Sequence, residues 1–166
     1  MNLRIIVFIM VFVGNIFAFD FNPSKLSKED IKMLKQIKQQ GAKYGLSYSL
    51  MAIAIKESSL GKYLVNVNSK DFGLYQANIK TVINRHKVRD TSWNRNKLAM
   101  KLISDFEFAT KNAIAELKYW RKVHKNNWRR IWSSYNGGWS YNSKRARKYS
   151  REIASIIRKL RSSNIV

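Results

Sequence analysis

The stretch that most restricts the fold is SLMAIAIKESSLGKYL, residues 49–64. From Leu50 to Ile55 there is no polar side chain. If helical, a run of this length is apolar on every side, so it has to be surrounded by the rest of the molecule. The spacing predicts a buried central helix from about Ser47 to Ser59, with other helices packed round it. Glu57 then comes three and four residues after Ala54 and Ile53, and seven after Leu50, which puts it on a face those residues bury. Burial disfavours a carboxylate and raises its pKa, and a carboxyl group protonated near neutrality can donate a proton to a leaving oxygen. The alternative is a glutamate at a frayed helix end pointing to water. The two serines and Gly61 beyond it let the chain turn away and open a cleft, which favours the first reading.

The remaining signals are helical. Ser27 with Asp30 three residues on marks a helix start, and the helix runs to Gly45. Residues 60–77 hold turn formers and read as an irregular lobe with at most a small β hairpin. Asn78 caps a helix through Val88, and Arg89–Asn94 is a break. Residues 94–125 carry one long helix or two. A short helix in NNWRRIWSSY runs into two glycines, and a last helix spans about Ser143 to Leu160, with Ala146, Tyr149, Ile153, Ile156, Ile157 and Leu160 on its apolar face. The expected fold is mainly α, one multi-helix domain over 19–166.

Residues 1–18 have Arg4 before an apolar run and Ala18 at a plausible cleavage point. They read as a signal peptide, or as an uncleaved anchor through residues 3–18. The expected location is outside the cytoplasm, in the periplasm or cell envelope. Cysteine is absent, which excludes disulfides and thiolate zinc sites. His86 and His124 stand alone without ligand spacing, so no metal and no cofactor is expected.

The net charge is +22, from 32 Lys and Arg against 10 Asp and Glu. Such a surface seeks a polyanion: an acidic wall, an anionic lipid surface in peripheral contact, or nucleic acid. The plain alternative is a solvated basic surface. An export signal argues against a specific nucleic-acid target.

Two further stretches carry chemistry. SKDFGLYQAN, residues 69–78, joins a carboxylate, a glycine turn, an aromatic and two amides. SSYNGGWS, residues 133–140, sets a phenol and an amide before a double glycine. Amides read hydroxyl and N-acetyl groups of sugars, and aromatics such as Tyr75, Tyr135, Trp139 and Tyr141 stack on sugar faces. Each stretch alone would pass for an ordinary turn.

Taken in order, ESSLG, DFGLYQAN and SSYNGG resemble the three motifs of the soluble lytic transglycosylases, the family 1 SLT domains of the lysozyme-like superfamily. The resemblance covers about residues 45–150, and DFGLYQAN is most similar to the small single-domain enzymes of secretion systems and phage particles. It implies that Glu57 is the single catalytic acid/base. It also implies that Gln76 lines the cleft and binds sugar, that Tyr135 hydrogen-bonds near the Glu57 carboxylate, and that Asn136 shapes the same wall. Ser69 stands for the serine before the glycine motif. Tyr75 and Ala77 depart from the family's Met and Ile or Val, and are expected in the cleft wall and groove floor. Ser134 stands for the usual alanine.

The activity implied is cleavage of the MurNAc-β-1,4-GlcNAc bond of peptidoglycan glycan strands, leaving 1,6-anhydroMurNAc ends. A secretion system or phage lysis machinery is the implied setting, and the chain is expected to act as a monomer. The nearest rival is a hydrolytic lysozyme, of phage endolysin type, with Asp71 as second carboxylate. Retaining hydrolases hold their two carboxyl groups about 5 Å apart and inverting ones about 6.5–9.5 Å. Asp71 has an ordinary reading too, bracing its loop. A third reading is a non-enzymatic basic binder of anionic polymer or membrane, built on clusters such as residues 143–161.

Overall fold

The computed structural model describes residues 21–165. The signal or anchor expected at residues 1–18 lies outside them. Among the described residues there are seven α-helices and one small sheet. None of these helices is long and apolar enough to cross a membrane.

Helix α1 spans Lys28–Ala42 and starts in a reciprocal cap: Asp30 N–H donates to Ser27 Oγ and Ser27 N–H to Asp30 Oδ2, both at 3.1 Å. It ends three residues before Gly45, which takes φ +66° in the next turn. Helix α2, Ser47–Ser58, is the central helix the sequence predicts. Every side chain from Ser49 to Ile55 is buried, against α1 and against helices formed later in the chain.

The chain beyond α2 builds the cleft. Ser59, Leu60 and Gly61 all take positive φ, and Leu60 N–H reaches back to Ala54 O at 3.1 Å. This closes the helix with orphan carbonyls satisfied. Three short strands come next, β1 (Val65–Asn66), β2 (Asp71–Phe72) and β3 (Ala77–Asn78), antiparallel in that order. Val65 pairs with Phe72, and Phe72 with Ala77. The lobe is therefore a three-stranded sheet, one strand more than the hairpin expected. The extra strand exists because Gly73 and Gln76, at φ +79° and +45°, reverse the chain at once and bring Ala77 back alongside Phe72. A non-glycine residue in the left-handed region is hard to foresee.

Asn78 caps α3, Ile79–His86, by accepting from Lys80 N–H at 3.2 Å. This helix stops two residues short of Val88 because Lys87 turns left-handed. Thr91 caps α4, Ser92–Ser104, and Asp105 caps α5, Phe106–Val123. The long periodic segment is therefore two helices, parted where Asp105 takes the N–H of Phe108 at 2.9 Å. Asn127 caps α6, Trp128–Gly137, and Ser143 caps α7, Lys144–Ser162. Helices α6 and α7 approach closely: a Cβ on Gly137 would lie 2.8 Å from Ala146 Cβ.

Gly73 joins the lobe to the helices. A Cβ there would sit 2.1 Å from the Leu102 carbonyl oxygen of α4. Gly73→Ala should cost on the order of 3 kcal/mol, combining left-handed strain with a backbone clash. Gly45→Ala, with nothing within 4 Å of its Cβ, should cost only about 1 kcal/mol from strain alone. Urea melts of the two variants should show this difference, and equal losses would mean that the lobe is not anchored through Gly73.

Candidate active site

A cavity of about 410 Å³ opens between the sheet and helices α3, α5 and α6. Glu57 reaches it from the last turn of α2, Ser69, Asp71 and Gln76 from the lobe, and Tyr135 and Asn136 from α6. Residues from all three motifs thus meet in one cleft.

The Glu57 carboxyl is pushed up from 4.5 to about 7. Burial is the main cause, and the negative charge of Asp71 adds to it. Two effects pull the other way: the Tyr149 hydroxyl and the Lys56 charge. Lys56 is held to Glu152 at 2.9 Å. Tyr149, on α7, is buried with its hydroxyl directed at Glu57, in a geometry short of a full hydrogen bond. Its own pKa is raised well above 10 by burial, so it remains a donor.

The cleft holds two more carboxylates, both engaged. Asp71 Oδ1 accepts from Asn78 Nδ2 at 2.9 Å, and the same nitrogen lies 3.0 Å from the Ser69 carbonyl. Asn78 also caps α3, so the loop is braced to a helix start. Glu116, on α5, accepts Trp120 Nε1 on one oxygen at 2.6 Å and Arg85 Nη2 on the other. Arg85 in turn donates to Asn112 Oδ1 at 3.0 Å.

Gln76 commits its amide nitrogen to the Gly73 carbonyl at 2.9 Å and the Tyr63 carbonyl at 3.2 Å. Its amide oxygen has no hydrogen bond among the described residues. Asn136 Oδ1 is buried and lacks a partner as well. Two unpaired amide oxygens on one cleft make it ready for a ligand with N–H or O–H donors.

One expectation needs correction. Tyr75 is not on the cleft wall: it is 1% exposed and its hydroxyl is hydrogen-bonded with Thr110 Oγ1 at 3.2 Å. The Gly73–Gln76 reversal turns that side chain into the core, and only its carbonyl serves the site. Tyr135 lines the cleft, but its hydroxyl donates to that Tyr75 carbonyl at 3.1 Å. The phenol directed at Glu57 is Tyr149, which the sequence places among the core residues of the last helix. Its signal was a phenol on an otherwise aliphatic buried face, where a hydroxyl requires a partner. Ala77 does line the cleft. Trp139 is 69% exposed and packs edge-on against Trp120, a cleft residue, while Tyr141 lies outside the cleft. No short motif joins Arg85, Glu116 and Trp120, so the sequence alone does not assign them to the cleft.

Residues 35–157 match the family model described as the transglycosylase SLT domain. The chain belongs to that family. It is also 31% identical, over 129 residues, to an uncharacterized 20.7 kDa protein in the vs-regB intergenic region of Enterobacteria phage T4, covering 75% of this chain and 67% of that protein. No solved structure matches it. SLT domains are lysozyme-like enzymes that cleave glycosidic bonds in peptidoglycan. A role as a purely non-enzymatic binder therefore has no further support.

A raised carboxyl pKa carries a stability signature. The folded SLT domain holds the Glu57 proton more tightly than the unfolded chain does, so this contribution is complete below about 4.5 and is lost as pH rises through about 7. Glu57→Gln should melt several degrees above the wild type at pH 8, with the gap closing towards pH 4.5. A gap independent of pH would show that the carboxyl is not desolvated.

Proposed function

We propose that this SLT domain is a lytic transglycosylase acting on the MurNAc-β-1,4-GlcNAc bond of peptidoglycan and leaving 1,6-anhydroMurNAc ends. The observation that carries the reading is a single adaptable carboxyl. Glu57 has a pKa of about 7, whereas Asp71 is braced by Asn78 and Glu116 is bonded on both oxygens. A group poised near neutrality serves as acid and then as base in one turnover.

In the first step protonated Glu57 donates to the glycosidic oxygen as the C1–O bond breaks. The acetamido oxygen of the muramic residue attacks C1 and forms a cyclic oxazolinium. Asn136 Oδ1, without a protein partner, is suited to accept the acetamido N–H and so strengthen that oxygen as a nucleophile. Tyr149 steadies the carboxylate left behind. In the second step Glu57 takes the proton from the C6 hydroxyl, whose oxygen displaces the acetamido oxygen at C1. The enzyme returns to its starting protonation and no water is consumed. Exposed Arg145, on the cleft, would face carboxylates of the stem peptide.

Work on peptidoglycan would place the enzyme in the periplasm or cell envelope, and the signal-like residues 1–18 are consistent with that. The setting, wall remodelling, secretion or phage lysis, would share this chemistry. Asp71 keeps the hydrolytic alternative specific, because it lies in the cleft and acts on the Glu57 pKa.

Digestion of purified sacculi, with mass spectrometry of the products, separates the two. Anhydro ends are expected, and Asp71→Asn should keep them while losing no more than about tenfold in rate. The alkaline limb of its pH–rate profile, near pH 7 in the wild type, should move to lower pH because a charge that raises Glu57 is gone. Reducing ends, one water heavier, with a folded Asp71→Asn slowed by about 10²–10⁴-fold, would make the protein a lysozyme instead.

A further inference from the structure

A second groove of about 410 Å³ shares no lining residue with the cleft. It runs between α6 and α7, and five arginines line it: Arg129 and Arg130 from α6, and Arg147, Arg151 and Arg158 from α7. Cations elsewhere in the chain are mostly lysine. There are twenty lysines against twelve arginines, and no arginine at all between residues 21 and 84. The groove lining contains no lysine and no acid. A merely solvated basic surface does not require this choice of side chain. Guanidinium forks differ from ammonium groups in binding oxyanions bidentately.

The arrangement has a shape. Arg147, Arg151 and Arg158 succeed one another at steps of four and seven, which puts them in one stripe along α7. At 1.5 Å of rise per residue the stripe is about 16 Å long. Ala154 lies within it and leaves room for a ligand. Arg129 and Arg130 sit in the first turn of α6, where the helix dipole is already positive and no acidic residue offsets them.

None of the five arginines forms an ion pair among the described residues. Glu152 is the last acidic residue of the chain and the only one after Glu116, and it is bound to Lys56. Among the described residues these five like charges are thus gathered without an ion-pair partner, at a cost in self-repulsion. The frame beneath them is firm. Ser150 Oγ donates to the Arg129 carbonyl at 2.9 Å, and the Arg130 guanidinium lies over the Tyr141 ring at 5.9 Å.

We propose that this groove binds a linear, base-free phosphodiester polymer whose phosphates track the α7 stripe while the α6 arginines grip from the side. A line of fixed cations matches a backbone that carries a charge at every repeat better than carboxylates on flexible peptide branches. Single-stranded nucleic acid is less well served, because it needs open aromatic platforms. Tyr141 is the groove's one aromatic, with Arg130 over its ring and His124 packed at an angle to it, 4.7 Å between centroids. A membrane surface needs large apolar side chains to insert, and Ala154 is the only aliphatic side chain in the lining. The site is independent of which product the cleft makes.

The test is binding of the full chain to a defined-length poly(glycerol phosphate) across a salt series. The key variant replaces Arg129, Arg147 and Arg151 with Gln; a control replaces the exposed Lys28, Lys32 and Lys35 of α1 with Gln. The arginine variant should lose at least tenfold in affinity, and its slope of log K against log salt should flatten by about 2. The control should lose much less. Lysine at the same three arginine positions should keep the slope and still bind several-fold more weakly. Turnover of a short glycan fragment that fills only the cleft should not change in any of them, which keeps this result separate from the reading of the cleft. Equal losses in the arginine variant and the control, or no loss in either, would overturn the site. Tighter binding of an oligonucleotide with as many phosphates, or of phosphatidylglycerol vesicles, lost in the same arginine variant, would overturn the assignment to a base-free polymer.

Discussion

The Ser58 hydroxyl holds the end of the central helix to the lobe that forms the opposite side of the cleft. It donates to the Leu74 carbonyl at 2.7 Å, lies 3.2 Å from the Ala54 carbonyl, and accepts Gly61 N–H at 2.9 Å. It is fully buried, so water does not compete for these contacts. One residue before it is Glu57, and two residues beyond Leu74 is Gln76. A helix end, a turn and a strand pair are thus set in register by one side chain. Gly73, against Leu102, fixes the same lobe from its other side. The carboxyl is held by elements that are packed on both flanks, which is what a proton donor with a fixed target requires.

The cleft carries local costs in stability. Glu57 would be more stable as a neutral amide at neutral pH, and Asn136 leaves a buried acceptor unpaired. The other two cleft carboxylates, Asp71 and Glu116, each accept side-chain N–H donors. Glu116 also links α3 to α5 through Arg85, so its pairing supports the cleft wall as well. Glu57 and the two hydrogen-bonded carboxylates differ in the partners around them, although all three line the same cavity.

Much of this was legible in the sequence because it depends on local rules. The apolar run at Leu50–Ile55 marks the central helix, and Ser27 and Asn78 mark helix starts through caps only a few residues long. Glu57 was legible from its spacing to that run. The features that escaped the sequence depend on contacts between distant segments. Tyr75 turns inward because Gln76 adopts a left-handed conformation, and no propensity of tyrosine foretells that. Arg85 and Glu116 are 31 residues apart and Tyr135 and Tyr75 are 60 apart, so only the assembled fold joins them. Tyr149 was placed on the right face, but its role depends on where α7 crosses the end of α2.

The central claim is that one desolvated carboxyl moves the proton in both directions, and a direct titration of Glu57 tests it best. Selective ¹³C labelling of glutamate side chains, with Glu57→Gln to assign the resonance, gives its pKa in the folded protein. The expected value is about 7, coinciding with the alkaline limb of the wall-lysis profile. A value near the ordinary 4.5, or a lytic limb that does not track the Glu57 titration, would contradict the claim.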